Sequence, residues 1–95
     1  MMNNIKEISK IIAGLKDDKK VYQILNELLT ESETDVLSKR WQILKMLTEG
    51  ATQREIAKEL GVSLCKVTRG AKLLKENSIV KKHLKGDKND KTNNK

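Results

Sequence analysis

An all-α protein of about six helices is the fold class this sequence predicts, and three observations carry the prediction. Hydrophobic and charged residues make up 37% and 35% of the 95, with no Pro and no Phe, a bias to Leu, Ile, Lys and Glu that favours helix over sheet. Apolar residues recur at intervals of three and four, the period of a helix with one covered face. Thr30-Glu31-Ser32-Glu33 and Thr52-Gln53-Arg54-Glu55 both read Thr-x-x-Glu. In that spacing the hydroxyl and the carboxylate satisfy each other's unpaired backbone N–H groups at a helix start. So short a chain buries a modest share of its surface, so pairing with a second copy is expected to supply the missing core.

The elements follow in order. Ile5, Ile8, Ile12 and Leu15 mark the first helix, with Gly14, Asp17 and Asp18 marking its end and the cap of the next. Val21, Ile24, Leu25, Leu28 and Leu29 continue the stripe on a second helix. Both stripes read as core or dimer seam. The Thr30 box opens a third helix bearing Val36, Leu37, Trp41, Ile43, Leu44 and Leu47, which Gly50 stops. Trp41 reads as a core or seam anchor. The Thr52 box opens a fourth helix that runs only to Leu60, because Gly61, free to take positive φ, turns the chain sharply. Ser63 caps a fifth helix, and Ile56, Ala57, Leu60, Val62, Val67 and Leu74 face inward across the turn. A short sixth helix is expected at about 78 to 85. The domain is thus expected over 1–85, with a helix-turn-helix at 53–76 and a disordered basic tail at 86–95, where GDKNDKTNNK has no apolar residue.

Charge separates the two halves. Residues 1–49 hold eight Lys/Arg and eight Asp/Glu, whereas 50–95 hold twelve and five, so the net charge of +7 lies wholly in the second half. That asymmetry points to a polyanionic partner, nucleic acid ahead of a membrane surface. A merely solubilising tail is the alternative, but Arg54, Lys58, Lys66, Arg69 and Lys72 also cluster within the helix pair. One cysteine excludes an internal disulfide or a multi-thiolate metal site in one chain and fits a reducing cytoplasm. The amino-terminal stretch carries Lys and Glu among its apolar positions, unlike a signal peptide or a membrane span. His83 is a lone surface histidine without a catalytic partner, and no enzyme is expected.

Two helices about a central Gly form the pattern in which the second helix enters a major groove. Lys66, Thr68, Arg69 and Lys72 can donate to phosphates or base edges, and Leu64 and Cys65 can lie against thymine methyls. A solvated helix face is the plainer reading. Cys65 reads as a packing or groove-facing residue, with a redox-sensitive thiol as the alternative.

From about Leu25 to Lys75 the chain resembles the tryptophan operon repressor family, most specifically at Leu29-Thr30, at Leu37 with Arg40, at Gln53-Arg54-Glu55 and at Thr68-Arg69-Gly70. The resemblance implies an intertwined homodimer presenting two reading heads to a near-palindromic operator in double-stranded DNA. It also implies L-tryptophan as a co-repressor that sets the spacing of the heads. On that likeness Arg69 stacks on the indole, Arg40 pairs with the ligand carboxylate, Leu29 and Thr30 line the same site, and Gly70 allows close approach behind the ligand. A planar cation suits an aromatic face and a forked one suits a carboxylate. The operator contacts carried over are Gln53, Arg54, Leu64, Cys65, Lys66 and Thr68, with Lys75 on a phosphate and Ser63 and Lys72 beside them. Lys66 stands where the family has a smaller polar residue, which implies a different operator sequence.

Two departures bear on the ligand. Leu73 occupies the position that meets the ligand's amino group and cannot accept its hydrogen bond, and the turn Gly50-Ala51-Thr52 is one residue shorter than in the best-known members. They favour a regulator that is constitutive or senses another metabolite. A helical dimer acting only through protein contacts is the reading from a different class.

Overall fold

Asn3, Asp17, Thr30, Thr52, Ser63 and Ser78 punctuate the chain, each capping a helix with its side chain. The computed structural model describes residues 3–76 and 78–85, and the tail expected at 86–95 lies outside the described residues. The chain divides into two compact units, Met1–Asp35 and Val36–Lys95.

In the first unit, α1 (Asn4–Leu15) starts where the Asn3 side chain accepts the Lys6 N–H, and α2 (Asp18–Leu28) where Asp17 accepts that of Lys19. These bonds replace helix partners that the first backbone donors lack. Gly14 does not end α1, contrary to expectation. The helix runs through it to Leu15, and Lys16 makes the turn at φ 49°, the chain's one described non-glycine residue at positive φ. That left-handed conformation crowds a Cβ and costs about 1–2 kcal/mol. α1 packs against α2. Ile8, Ile12, Leu15, Val21, Ile24 and Leu25 are only half-buried. Ile5 and Tyr22 remain 71% and 72% exposed, and Leu28 is exposed too.

α3 (Glu31–Thr48) opens on the expected reciprocal box: the Glu33 N–H donates to Thr30 Oγ1 at 3.1 Å, and the Thr30 N–H donates to Glu33 Oε1 at 2.9 Å. Its end lies in the second unit. Gly50, at φ 99°, donates to the Leu47 carbonyl and Ala51 to that of Met46, at 3.1 and 3.0 Å. This paired closure satisfies carbonyls that the helix leaves open.

α4 (Gln53–Leu60) and α5 (Leu64–Lys75) follow, with Gly61 at φ 65° between them and the Val62 N–H bonded back to the Ala57 carbonyl at 3.1 Å. Residues 79–85 form α6, whose first turn is capped by the Ser78 hydroxyl accepting the Lys81 N–H. The core joins Ile43 of α3, Ile56 of α4 and Val67 of α5, the last two with no accessible surface. Met46, Leu47, Ala51, Ala57, Leu60 and Val62 surround them. Fully burying each such side chain contributes about 1.5–3 kcal/mol. Trp41 stands outside this core, 45% exposed on α3, as do Val36 and Leu37 near it. Gly70 of α5 sits where α5 meets α3: a Cβ there would lie 3.1 Å from Ile43 Cγ2 and 3.4 Å from Leu44 Cδ2.

Candidate nucleic-acid interface

The α4–turn–α5 unit is held from three sides. The Thr52 hydroxyl accepts the Glu55 N–H at 3.2 Å, and Glu55 Oε1 accepts the Thr52 N–H at 2.9 Å. The Thr52 backbone N–H, most of all, and next the Thr52 hydroxyl hold the Glu55 carboxyl below its ordinary value of 4.5. Gly61 makes the bend. The Ser63 hydroxyl, accepting the Lys66 N–H at 3.3 Å, starts α5.

At about 100° per residue, the residues from about 60° to 160° round α5 from buried Val67 form an outward flank. Leu64, Thr68, Lys72 and Lys75 follow one another at intervals of four, four and three, with Cys65 beside them, and all five are exposed. They form one strip. Arg69 borders it and is exposed, while Lys66 lies about 160° round the helix from Thr68, on the same flank as Leu73. Lys66 therefore lies outside this strip. Arg54 is exposed in the first turn of α4, and Gln53 is half-buried there.

Two of the expected contacts meet directly. The Thr68 hydroxyl donates to Gln53 Oε1 at 2.8 Å, linking α5 to the start of α4. Nothing in the sequence announces this bond, because the residues are fifteen apart and only the turn angle brings them together.

The residues assigned to ligand binding divide between the units. Leu29 is half-buried and ends α2 in extended conformation, and Thr30 is exposed, its oxygen occupied by the cap of α3 while its own hydroxyl proton remains a donor. Arg40 and Arg69 are exposed in the second unit. Gly70 serves the contact with α3 described above. Leu73, four residues beyond Arg69, is 40% exposed and offers no acceptor to an ammonium group. Among the described residues no group of His, Cys, Asp and Glu is arranged to hold a metal ion, and no helix is long and apolar enough to cross a membrane.

Among the described residues, six helices and a capped helix-turn-helix with an exposed strip on its second helix define an all-α protein of the helix-turn-helix class. Comparison with known proteins narrows this class. The Trp repressor protein family matches residues 3–85, and the chain belongs to that family. It is similar to the Trp operon repressor homolog of Xylella fastidiosa (strain 9a5c), with 45% identity over 64 residues, 66% of this chain and 67% of the relative. The homolog of Chlamydia trachomatis serovar D is 37% identical over 66 residues, 68% and 70% of the two chains. That of Vibrio parahaemolyticus is 33% identical over 78 residues, 81% and 76% of the two. No solved structure matches the chain at a comparable level. The protein is accordingly a regulator of the Trp repressor type, in a family of transcription repressors and not of enzymes.

Proposed function

We infer that this regulator binds double-stranded DNA as a homodimer, each copy placing α5 in the major groove of a near-palindromic operator. The observation that carries this reading is the strip of Leu64, Cys65, Thr68, Lys72 and Lys75, exposed on a helix that Val67 fixes to the core by an adjoining face. Its lysines suit phosphates, and its small and apolar groups suit base edges and thymine methyls. Gln53, Arg54, Ser63 and Lys66 extend the contact beyond the strip. The apolar residues left uncovered in one chain, Ile5, Tyr22, Leu28 and Trp41 among them, support pairing with a second copy. The domain covers 1–85, and a cytoplasmic location fits a DNA partner.

L-tryptophan acts as the co-repressor. Arg69 supplies a planar cation for an indole and Arg40 a fork for a carboxylate, with Leu29, Thr30 and Gly70 completing the site. The ligand favours the DNA-competent spacing of two heads only by binding it more tightly than the other arrangement. Leu73 favours a second reading, in which the regulator is constitutive or answers another metabolite.

Operator affinity measured by gel shift across a salt series, with and without L-tryptophan, tests both. Steep weakening with salt is expected of phosphate binding, and an affinity indifferent to salt would mean a dimer acting through protein contacts alone. Equal affinity with and without the amino acid would remove the co-repressor and leave DNA binding standing. Arg69→Ala is expected to abolish the response to L-tryptophan.

A further inference from the structure

A carboxamide has two ends that differ in hydrogen-bond sense: Oε1 accepts and Nε2 donates. A hydroxyl neighbour can address either end. In this chain the Thr68 hydroxyl addresses Oε1 of Gln53, at 2.8 Å. That choice turns Oε1 toward α5 and leaves the two Nε2 hydrogens to face away from Thr68. The bond is exposed, so water competes for both partners and the bond adds little to folding. Its consequence is orientation: Gln53 is held in one of two amide senses before any partner arrives, and a group fixed in advance need not be ordered on binding.

We propose that Thr68 is a positioning residue for Gln53, and that Gln53 so held meets the duplex as a donor, through Nε2, to an acceptor atom of DNA. This rests on the DNA-binding reading above. The acceptor belongs either to a phosphate oxygen or to a base edge such as purine N7, both of which take an N–H donor. A contact that needs Gln to accept and donate side by side, as with adenine N6 and N7, has to use the second lone pair of Oε1 beside the Thr68 bond.

The test uses the full chain and two duplexes: one selected by the unaltered protein from a randomised library, and one of mixed sequence. The unaltered protein comes first. If it binds neither duplex in a salt-dependent way, the DNA-binding reading fails before this proposal is reached. Given binding, Thr68→Val and Gln53→Ala are each expected to weaken affinity about two- to tenfold, the size of one hydrogen bond. The double variant is expected to be no weaker than Gln53→Ala alone, because Thr68 acts through Gln53. Thr68→Ser, which keeps the hydroxyl, is expected to restore affinity to within about twofold, with the melting temperature of Thr68→Val unchanged. A loss equal on both duplexes assigns the acceptor to phosphate, and a loss larger on the selected duplex assigns it to a base. Unaltered affinity in Thr68→Val, additive losses in the double variant, or an affinity loss matched by lowered melting would each overturn the proposal.

Discussion

The two units of the chain are built from the same materials and finished differently. In Met1–Asp35, two amphipathic helices pack against each other and bury none of their described residues, with Ile5 and Tyr22 each more than 70% exposed. In Val36–Lys95, three helices converge on Ile43, Ile56 and Val67, and two of those side chains have no exposed surface. An apolar stripe at helical spacing is thus a statement of demand, met in the second unit at Ile43, Ile56 and Val67 but not at its exposed Val36, Leu37 and Trp41, and met by no buried residue on either helix of the first. A helix pair that closes its own core can present α5 as a rigid element. On the homodimer reading proposed above, the exposed apolar residues of the first unit, with Val36, Leu37 and Trp41 of the second, are the ones that a second copy covers.

The largest expected effect breaks the second unit. Ile56→Ala leaves a cavity at a site with no exposed surface and is expected to cost about 2–5 kcal/mol, read by urea denaturation. A loss under 1 kcal/mol would mean that the core is looser than its burial indicates. The same truncation at exposed Ile5 or Leu28 tests the first unit by a different measurement, because each should matter only where copies meet. In a dilute monomer either change is expected to be near neutral. In the dimer each is expected to cost about 1–2 kcal/mol per protomer, seen as a raised dissociation constant in sedimentation. Unchanged self-association in both variants would remove the first unit from the seam.

This contrast marks what could be read in the sequence. The all-α class, the two reciprocal boxes at Thr30 and Thr52, the bend at Gly61 and the inward set Ile56, Val67 and Leu60 are legible because each depends on residues within a turn or two of one another. The exposure of Trp41, Val36 and Leu37 is not, since the same spacing serves a core closed by one chain or by two. Of the site, the strip on α5 follows from its period. The Thr68–Gln53 bond and the close seat of Gly70 on Ile43 depend on how helices cross, which no local pattern encodes.

Helix ends sharpen the comparison further. The second unit ends α4 on Gly61 at φ 65°, whereas the first ends α1 on Lys16 at φ 49°. Gly61→Ala is expected to cost about 1–2 kcal/mol, because a Cβ is crowded in the left-handed conformation though the space around it is open. Lys16→Gly is expected to move the other way. It removes the same strain and adds backbone freedom to the unfolded chain, leaving a net gain of up to about 1 kcal/mol. Thermal melting of both variants reads the pair, and destabilisation by Lys16→Gly would show that the lysine side chain holds the turn by contacts that outweigh its strain.

The smallest effect concerns acid. The Thr52 N–H, and after it the Thr52 hydroxyl, stabilise the ionised Glu55 carboxyl in the folded chain and lower its pKa below 4.5. The unfolded chain therefore takes up the proton first. The contribution of Glu55 is whole above 4.5 and is lost as pH falls through the lower folded value. Glu55→Gln keeps an amide oxygen that can close the same box but has no proton to gain in this range. The stability difference between the unaltered chain and Glu55→Gln is expected to be constant from pH 7 down to about 5 and to shrink at more acid pH. Denaturation of both proteins across that range measures it. A difference that stays level down to about pH 3 would show that the charge on Glu55 contributes nothing to the start of α4, leaving the geometry of the box alone to hold the helix pair.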